Sequence, residues 1–457
     1  MVGQSSSNWL RRLLATASVA VLTALGLVAE PPSAAASPNA DTVSATVAAE
    51  ANWILRAQLP DGAIGIYPAS ATIWPDQANT AAAGLARATE VTGDPDYAQH
   101  AWSYLRWYSA SEQPGTGYVT DYKVVGGTTP VSTGQFDSTD AYAGTFLAAV
   151  WDAYSATGDL ATLQSISSGI AGAISAIAST QSQDGLTWAQ PSWHVAYLMD
   201  NAQAYGGLVA ASRLETVLGN TALASEASAR ALAMQDGIAS LWDPETNAYD
   251  WARQDNGAQH ATAWANLYPD AMEQVAAIEW DAVPALRAES LLQSFASAHP
   301  DWVSPTAEDS YLQGADVVSQ PVGYWPMVAS AYAVTGQQNT ATTGVNDIIS
   351  AAAQANDAWP FTPADAGDII MALSGGPLDP APAQPTLVRH DGTGGRSPLP
   401  VRGGGGVSGA PGSTGTARAV LDASVVASPL ISATATTCRQ RMPCTLLARG
   451  ELRYALR

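Results

Sequence analysis

The sequence predicts an all-α fold built from repeated helical hairpins. Three observations predict it: a recurring glycine turn, helical spacing of the apolar residues between turns, and a regular alternation of short and long connections. The turns are Val91-Thr92-Gly93-Asp94, Ala156-Thr157-Gly158-Asp159, Val217-Leu218-Gly219-Asn220 and Val334-Thr335-Gly336-Gln337. Their glycines lie 65, 61 and 117 residues apart, so the last interval holds two periods of the same unit. Internal repetition at this period sets architecture before local detail does. Glycine suits a left-handed helix stop, and the polar residue after it is placed to cap the next helix.

In chain order, the N-terminus reads as an export signal. Arg11-Arg12 precede an uncharged run from Leu13 to Ala29, followed by Pro31-Pro32 and the small-residue site Ala34-Ala35-Ala36. Cleavage is expected near Ser37, which makes residues 1–36 a signal peptide, by either the general or the twin-arginine route, and leaves a secreted protein. The alternative is a membrane anchor, for which the run is slightly short. No stable membrane insertion is expected once the signal is removed.

The body follows, residues 37–375, with helices expected at 43–58, 76–92, 95–111, 138–156, 159–181, 200–218, 221–241, 269–281, 283–298, 316–335, 337–355 and 364–374. Ala143, Phe146, Leu147, Val150, Trp151 and Tyr154 fall at helical spacing, as do Tyr97, Ala101, Tyr104, Leu105 and Tyr108. Where a glycine turn is missing, near Trp280-Asp281, Pro284 can open the next helix. Connections across the glycine turns are two or three residues long. The others are longer and carry Trp, Tyr, Asp, Gly and Pro. This alternation sends every long loop to one end of the assembly and every tight turn to the other. Long loops also begin alike, with Gln58-Leu59-Pro60-Asp61-Gly62, Gln181-Ser182-Gln183-Asp184-Gly185 and, more distantly, Ala298-His299-Pro300-Asp301-Trp302. An open helical solenoid is the structural alternative.

Residues 376–457 are rich in Gly, Pro, Ser and Ala, hold nine of the arginines and contain both cysteines, Cys438 and Cys444. Such composition does not bury enough apolar surface to order itself, so a low-complexity tail is expected, either a disordered extension or a frame-shifted one. The body therefore has no thiol for a disulfide or a thiolate metal site. It carries one lysine and seven arginines against 35 acids. A surface this negative excludes nucleic acid and anionic membrane as partners and disfavours strongly anionic polysaccharides. Oligomeric state is not legible.

Trp74-Pro75-Asp76-Gln77-Ala78-Asn79 and Phe136-Asp137-Ser138-Thr139-Asp140-Ala141-Tyr142, together with twelve helices in alternating connection, resemble the six-hairpin glycosidase superfamily. The resemblance covers residues 43–374. It implies an (α/α)6 toroid, with six inner helices inside six outer ones, the chain beginning on an outer helix and the last inner helix closing the ring. The inner helices then start at the long-loop end, where their first turns carry Asp76, Asp140, Asp200, Asp270, Asp316 and Asp365. Aspartate favours helix N-termini for capping alone. Six acids converging on one depression, however, also match glycoside hydrolysis, which uses two carboxyl groups flanking the scissile bond.

Asp140 and Asp200, one repeat apart, are the favoured pair, because Asp137 can cap the helix and leave Asp140 available. Tyr197-Leu198-Met199-Asp200-Asn201 and its interval to Asp140 are similar to the aspartate pair of unsaturated glucuronyl and rhamnogalacturonyl hydrolases. The arginine-rich uronate contacts and the His-Asp spacing of those enzymes are absent. Glu273 and Glu308-Asp309 are reserve acids; a more deeply desolvated acid suits the proton donor, and one at a helix N-terminus suits the base. Fifteen Trp and sixteen Tyr against four Phe suit sugar faces, since flat rings with a polar edge combine apolar contact with hydrogen bonding. Trp74, Trp188, Trp193, Trp242, Trp251, Trp264, Trp302, Trp325 and Trp359 fall in or beside the long loops. Trp74, Asp76, Asp137, Trp193, His194, Asn201, His260 and Trp264 are the expected substrate contacts, with packing of the loop layer as the alternative role for each ring. The body holds no His-Glu-x-x-His element, phosphate-cradling loop or calcium loop, and no cofactor is expected.

The function these features imply is an exported glycoside hydrolase acting on a polysaccharide or its oligosaccharides. Two alternatives stay open: a polysaccharide lyase on the same fold, with Tyr197 or His194 as base, and a carbohydrate-binding toroid without catalysis.

Overall fold

The computed structural model describes residues 40–304, 323–358 and 360–376. The helices are α1 (Ala40–Leu55), α2 (Pro75–Thr92), α3 (Pro95–Ser111), α4 (Asp140–Thr157), α5 (Leu160–Ser165), α6 (Ser167–Thr180) and α7 (Leu198–Leu218). They continue with α8 (Thr221–Ala239), α9 (Met272–Glu279), α10 (Ala285–Ala298), α11 (Met327–Val334), α12 (Gln338–Gln354) and α13 (Pro363–Ser374). The helix expected over 159–181 is broken at Ile166 into α5 and α6, and a π-helical turn, Leu267–Ala271, precedes α9. The helix expected over 316–335 begins instead at Met327, after non-helical residues 323–325, so its first turn carries no acid and Asp316 is not its start; the N-cap is Pro326. Asp316, Glu308, Asp309, Trp359, the export signal and residues 377–457 lie outside the described residues.

Helices α2, α4, α7, α9, α11 and α13 pack each on the next, and α13 packs back on α2. The ring therefore closes, giving the (α/α)6 toroid and excluding the open solenoid. The outer helix α1 rests on α13 and α2, as a chain beginning on the outside requires. Closure depends on a close backbone approach: a Cβ on Gly84 of α2 would lie 2.6 Å from the Gly367 Cα of α13. The α4–α7 seam is made the same way, since a Cβ on Gly144 would lie 2.5 Å from the Gln203 carbonyl oxygen. Alanine and glycine along the inner helices thus set the radius of the ring.

The tight-turn end follows the glycine signal closely. Gly93, Gly158, Gly219 and Gly336 all adopt left-handed φ, and Asp281 takes the same conformation where glycine is missing. Asp94 and Asp159 accept hydrogen bonds from Asp96 and Thr162 N–H, as expected of caps. Asn220 and Gln337 make no side-chain cap. The Asn220 amide instead donates to Glu215 across the turn at 2.7 Å. Pro284 sits one position before its helix, at the N-cap.

At the other end the repeated loop motif has a repeated job. The Gln58 amide donates to the Gly62 carbonyl and to the His100 carbonyl of α3, at 3.0 and 2.9 Å. The Gln181 amide donates to the Gly185 carbonyl and to the Arg230 carbonyl of α8, at 2.9 and 3.1 Å. Each Gln-x-x-Asp-Gly loop therefore latches one outer helix to the next. The third, weaker match serves by a different contact, because the Trp302 ring lies where a Cβ on Gly344 of α12 would stand. Short antiparallel strands line the same end: Thr72–Ile73 with Tyr122–Val125 and Thr129–Ser132, and Val195–Tyr197 with Ala252–Gln254 and Gln259–His260.

Candidate functional site

The first turns of five inner-helix starts carry the expected acids: Asp76, Asp140, Asp200, Asp270 and Asp365. Their surroundings separate them. Asp365 forms a reciprocal capping box with Thr362, accepting from its N–H at 2.7 Å and its hydroxyl at 2.8 Å. Burial pushes its carboxyl up to about 7, against the opposing effect of those hydrogen bonds. Asp270 holds the preceding loop, accepting from Ala263 N–H at 2.7 Å and from the Asn266 amide at 3.4 Å. Capping and loop anchorage account for these two. Asp76 is buried at the first turn of α2.

Asp140 is fully buried. One carboxylate oxygen accepts from Ala141 N–H at 2.9 Å and the other from the Thr187 hydroxyl at 2.7 Å. Thr187 N–H in turn donates to the Asn201 side-chain oxygen at 2.8 Å, and the Asn201 amide donates to the carbonyls of Thr187 and Tyr197. The structure therefore joins the starts of α4 and α7 through a loop threonine that sequence reading did not single out. Asp137 does not cap α4: the N-cap residue is Thr139, without a side-chain cap hydrogen bond.

Asp200 and Glu273 are 4% and 3% exposed, against 0% for Asp140. They stand on neighbouring inner helices, α7 and α9. The Glu273 carboxylate accepts the N–H of Met199, the residue immediately before Asp200. That bond satisfies one of the unpaired N–H groups of the α7 N-terminus, where a carboxylate is electrostatically favoured. It also places the two acids at one spot on the long-loop end of the ring.

Several polar atoms at this end are enclosed yet find no hydrogen-bond partner among the described residues: Gln77 Oε1, Ser138 Oγ, Thr139 Oγ1 and Trp325 Nε1. They belong to the starts of three inner helices, α2, α4 and α11. Buried polar groups are ordinarily paired, so such atoms are places where water or a polar ligand is expected; Ser155 Oγ, Glu215 Oε1 and Trp280 Nε1 near the tight turns are unpaired in the same way.

The aromatic residues divide by role. Trp302 is buried, Trp242 packs edge-on against Tyr249 at 5.1 Å, and Trp325 stacks on Tyr268 at 5.7 Å. Trp264 donates to the Thr246 carbonyl at 3.4 Å, and its own carbonyl meets the His299 ring nitrogen at 2.8 Å. Both contacts tie it into loop packing. Trp74 is half-buried at the N-cap of α2.

A second group forms a band beside Asp200. Trp193 Nε1 meets the Tyr197 hydroxyl at 3.4 Å, Tyr197 stacks on Trp251 at 6.3 Å, and Trp251 lies 4.8 Å from His260. His194 stacks on Trp188 at 5.6 Å and pairs with Asp255 at 3.5 Å. Asp250, next to Trp251, has its carboxyl pushed up by burial and by Asp243, with His260 opposing. Neither Asp250 nor the Trp251–His260 contact carries a sequence signal, because both arise from antiparallel pairing of distant segments.

No family model matches the sequence, and no curated protein does. Solved structures do match. One is the GH63 mannosylglycerate hydrolase from Thermus thermophilus in complex with glucose, 13% identical, with a TM-score of 0.52, covering 73% of this chain and 99% of that one. Another is the apo beta-1,3-1,4-glucanase from a Paenibacillus species, 12% identical, with a TM-score of 0.52, covering 74% and 93%. A third is a metal-independent alpha mannosidase from Streptococcus pneumoniae, 11% identical, with a TM-score of 0.54, covering 73% and 96%. At these identities the likeness is one of fold: the chain shares the six-hairpin (α/α)6 toroid of these glycosidases.

Proposed function

We propose that this chain is an exported glycoside hydrolase that uses Asp200 and Glu273 as its pair of carboxyl groups at the long-loop end of the toroid. The observation that carries the reading is the hydrogen bond from Met199 N–H to Glu273, which brings acids from two adjacent inner helices to the same helix N-terminus. Hydrolysis needs one carboxyl group to protonate the leaving oxygen and another on the opposite side of the bond, acting on water or on the sugar itself. Asp140 then serves as a positioning residue, orienting Thr187 and Asn201 behind Asp200. Both of its oxygens already hold hydrogen bonds, and it offers no surface to substrate. The unpaired atoms of Gln77, Ser138, Thr139 and Trp325 are of the kind that sugar hydroxyls satisfy. Trp74, Asp76 and the aromatic band are expected to frame that ligand.

A body with few basic residues favours a neutral or weakly charged glycan. Export rests on the Arg11-Arg12 pair, the apolar run and the Ala34-Ala35-Ala36 site. N-terminal sequencing of protein recovered from culture medium checks it, with a start near Ser37 expected. The reaction is tested by incubating the protein with a panel of neutral and acidic glycans and measuring new reducing ends. Reducing ends that disappear in Asp200→Asn and Glu273→Gln support the reading. Products absorbing in the ultraviolet through a new double bond identify a lyase instead, and glycan binding without turnover identifies a binding toroid.

A further inference from the structure

We infer that Trp193 forms an outer subsite for a neutral pyranose, so that the ligand is a glycan chain running outward from Asp200 across the aromatic band, not a monosaccharide or short disaccharide. The inference deepens the hydrolase reading and rests on it for the position of the cleaved bond. Its structural basis is independent of the acids.

Trp193 is the exposed indole of the band, at 37%. Its position is nevertheless built. The segment 190–194 is closed by an antiparallel bridge between Gln190 and Trp193. The Gln190 amide anchors it, donating to the carbonyls of Phe136 and Asp137 at 2.7 and 2.8 Å. On the far side, the His194 ring is held by the Pro191 carbonyl at 2.9 Å and by its stack on Trp188. The indole is therefore presented to solvent by a fixed loop, so little ordering has to accompany ligand contact.

From Trp193 the chain runs through the strand Val195–Tyr197 directly into α7, whose first turn carries Asp200. Along the contacts from Trp193 to Tyr197 to Trp251 the rings are exposed, half-buried and buried in turn. Tyr197 touches both Trp193 and Trp251 and stands immediately before α7, so it links the exposed indole to the helix start that carries Asp200.

Charge selects the class. The basic groups of this platform, Arg253, His194 and His260, are already engaged, with Asp184, Asp255 and the Gln254 amide respectively. An anionic sugar would find no unclaimed cation there among the described residues, whereas the apolar face of a neutral pyranose matches an indole that has a polar edge.

The test uses the whole secreted chain with soluble mixed-linkage β-glucan, mannan and xylan as neutral probes and polygalacturonate as the anionic one. Binding is read first by affinity electrophoresis and calorimetry. Trp193→Ala is expected to weaken binding of a neutral polymer about 3- to 10-fold, with Trp193→Phe retaining most of it. Leu286→Ala, at an exposed position on the opposite end of the ring, leaves it unchanged. For any oligosaccharide series that is hydrolysed, wild-type kcat/KM rises with chain length and the Trp193→Ala profile is flat. Equal affinities of Trp193→Ala and wild type for every neutral polymer, or preferred binding of polygalacturonate, overturns the subsite. Loss of hydrolysis alone, with the Trp193 dependence of binding intact, overturns the hydrolase reading and leaves the subsite standing.

Discussion

The two ends of the toroid are built from the same helices and differ in what closes them. At the tight-turn end, Gly93 and Gly158 N–H groups return to the Thr89 and Tyr154 carbonyls at 2.8 and 2.7 Å. There Arg87 lies enclosed between Asp152 at 3.4 Å and Glu90 at 3.5 Å, and also donates to the carbonyl of Gly376, clasping the end of α13 to α2. At the long-loop end the inner helices start with acids, several enclosed polar atoms lack protein partners among the described residues, and one tryptophan stands in solvent. The difference teaches that turn chemistry and buried pairing hold the ring together at one end. The other end carries the acids and the loop-borne aromatic rings on which the proposed glycan site rests.

The largest effect expected is on chemistry at the long-loop end. Asp200→Asn and Glu273→Gln each lower kcat by about 10² to 10⁴ with an unchanged thermal midpoint, measured by reducing-end assay and calorimetry. Asp140→Ala does the reverse in character: it removes the acceptor of Ala141 N–H and leaves the Thr187 hydroxyl to Asn201 alone, and lowers stability by about 1 to 3 kcal/mol. If Asp140→Ala kept full stability while only turnover vanished, Asp140 would rejoin the reacting acids.

Next in size is Arg87→Leu at the tight-turn end. It leaves Asp152, 1% exposed, buried without its cation and is expected to cost about 3 to 5 kcal/mol in denaturant unfolding. Glycan binding per folded molecule is expected to persist, and a specific loss of binding in folded protein would erase the division between the two ends. Gly144→Ala tests the ring radius, because its Cβ meets the Gln203 carbonyl oxygen at 2.5 Å. Overpacking of this kind costs about 1 to 3 kcal/mol.

Acidity offers a further test. Burial pushes the Asp365 carboxyl up to about 7 and the Glu279 carboxyl up to about 8. The unfolded chain ionises such groups near pH 4, so between that pH and 7 to 8 the folded state binds more protons. Their contribution is full below the unfolded value and is lost as pH rises through the folded ones. The thermal midpoint is therefore expected to be higher at pH 5 than at pH 9, and Asp365→Asn with Glu279→Gln flattens that slope. A midpoint that rises from pH 5 to pH 9 contradicts the assignment. The smallest effect belongs to the loop latches: Gln181→Ala removes hydrogen bonds to Gly185 and Arg230 and costs about 1 kcal/mol, read as a modest fall in midpoint.

Much of the framework was legible in the residues. The helix boundaries at Pro95, Ser111, Leu218 and Ser374 are those expected from the glycine turns and periodicity. Asp94 and Asp159 cap as their position after glycine implies. Asn220 does not, because Glu215 offers its side chain a charged acceptor, a competition invisible in a four-residue motif. The break at Ile166 carries no glycine or proline to announce it. At the site, the acidic first turns were legible because each is local to one helix. Their surroundings were not: Thr187 reaches Asp140 from a loop and is itself held by Asn201 on a neighbouring helix.

The sequence by itself determined the repeat, the hairpin as its unit and the segregation of tight turns from long loops. These follow from short-range backbone preference and helical period, which act over a few residues. Only the tertiary structure decided that the hairpins close into a ring, how the buried acids are hydrogen-bonded, and that Trp193 faces solvent. Those outcomes depend on contacts such as Gly84 with Gly367 and Met199 with Glu273, between segments far apart in the chain, where packing distance and enclosure replace local propensity as the deciding physics.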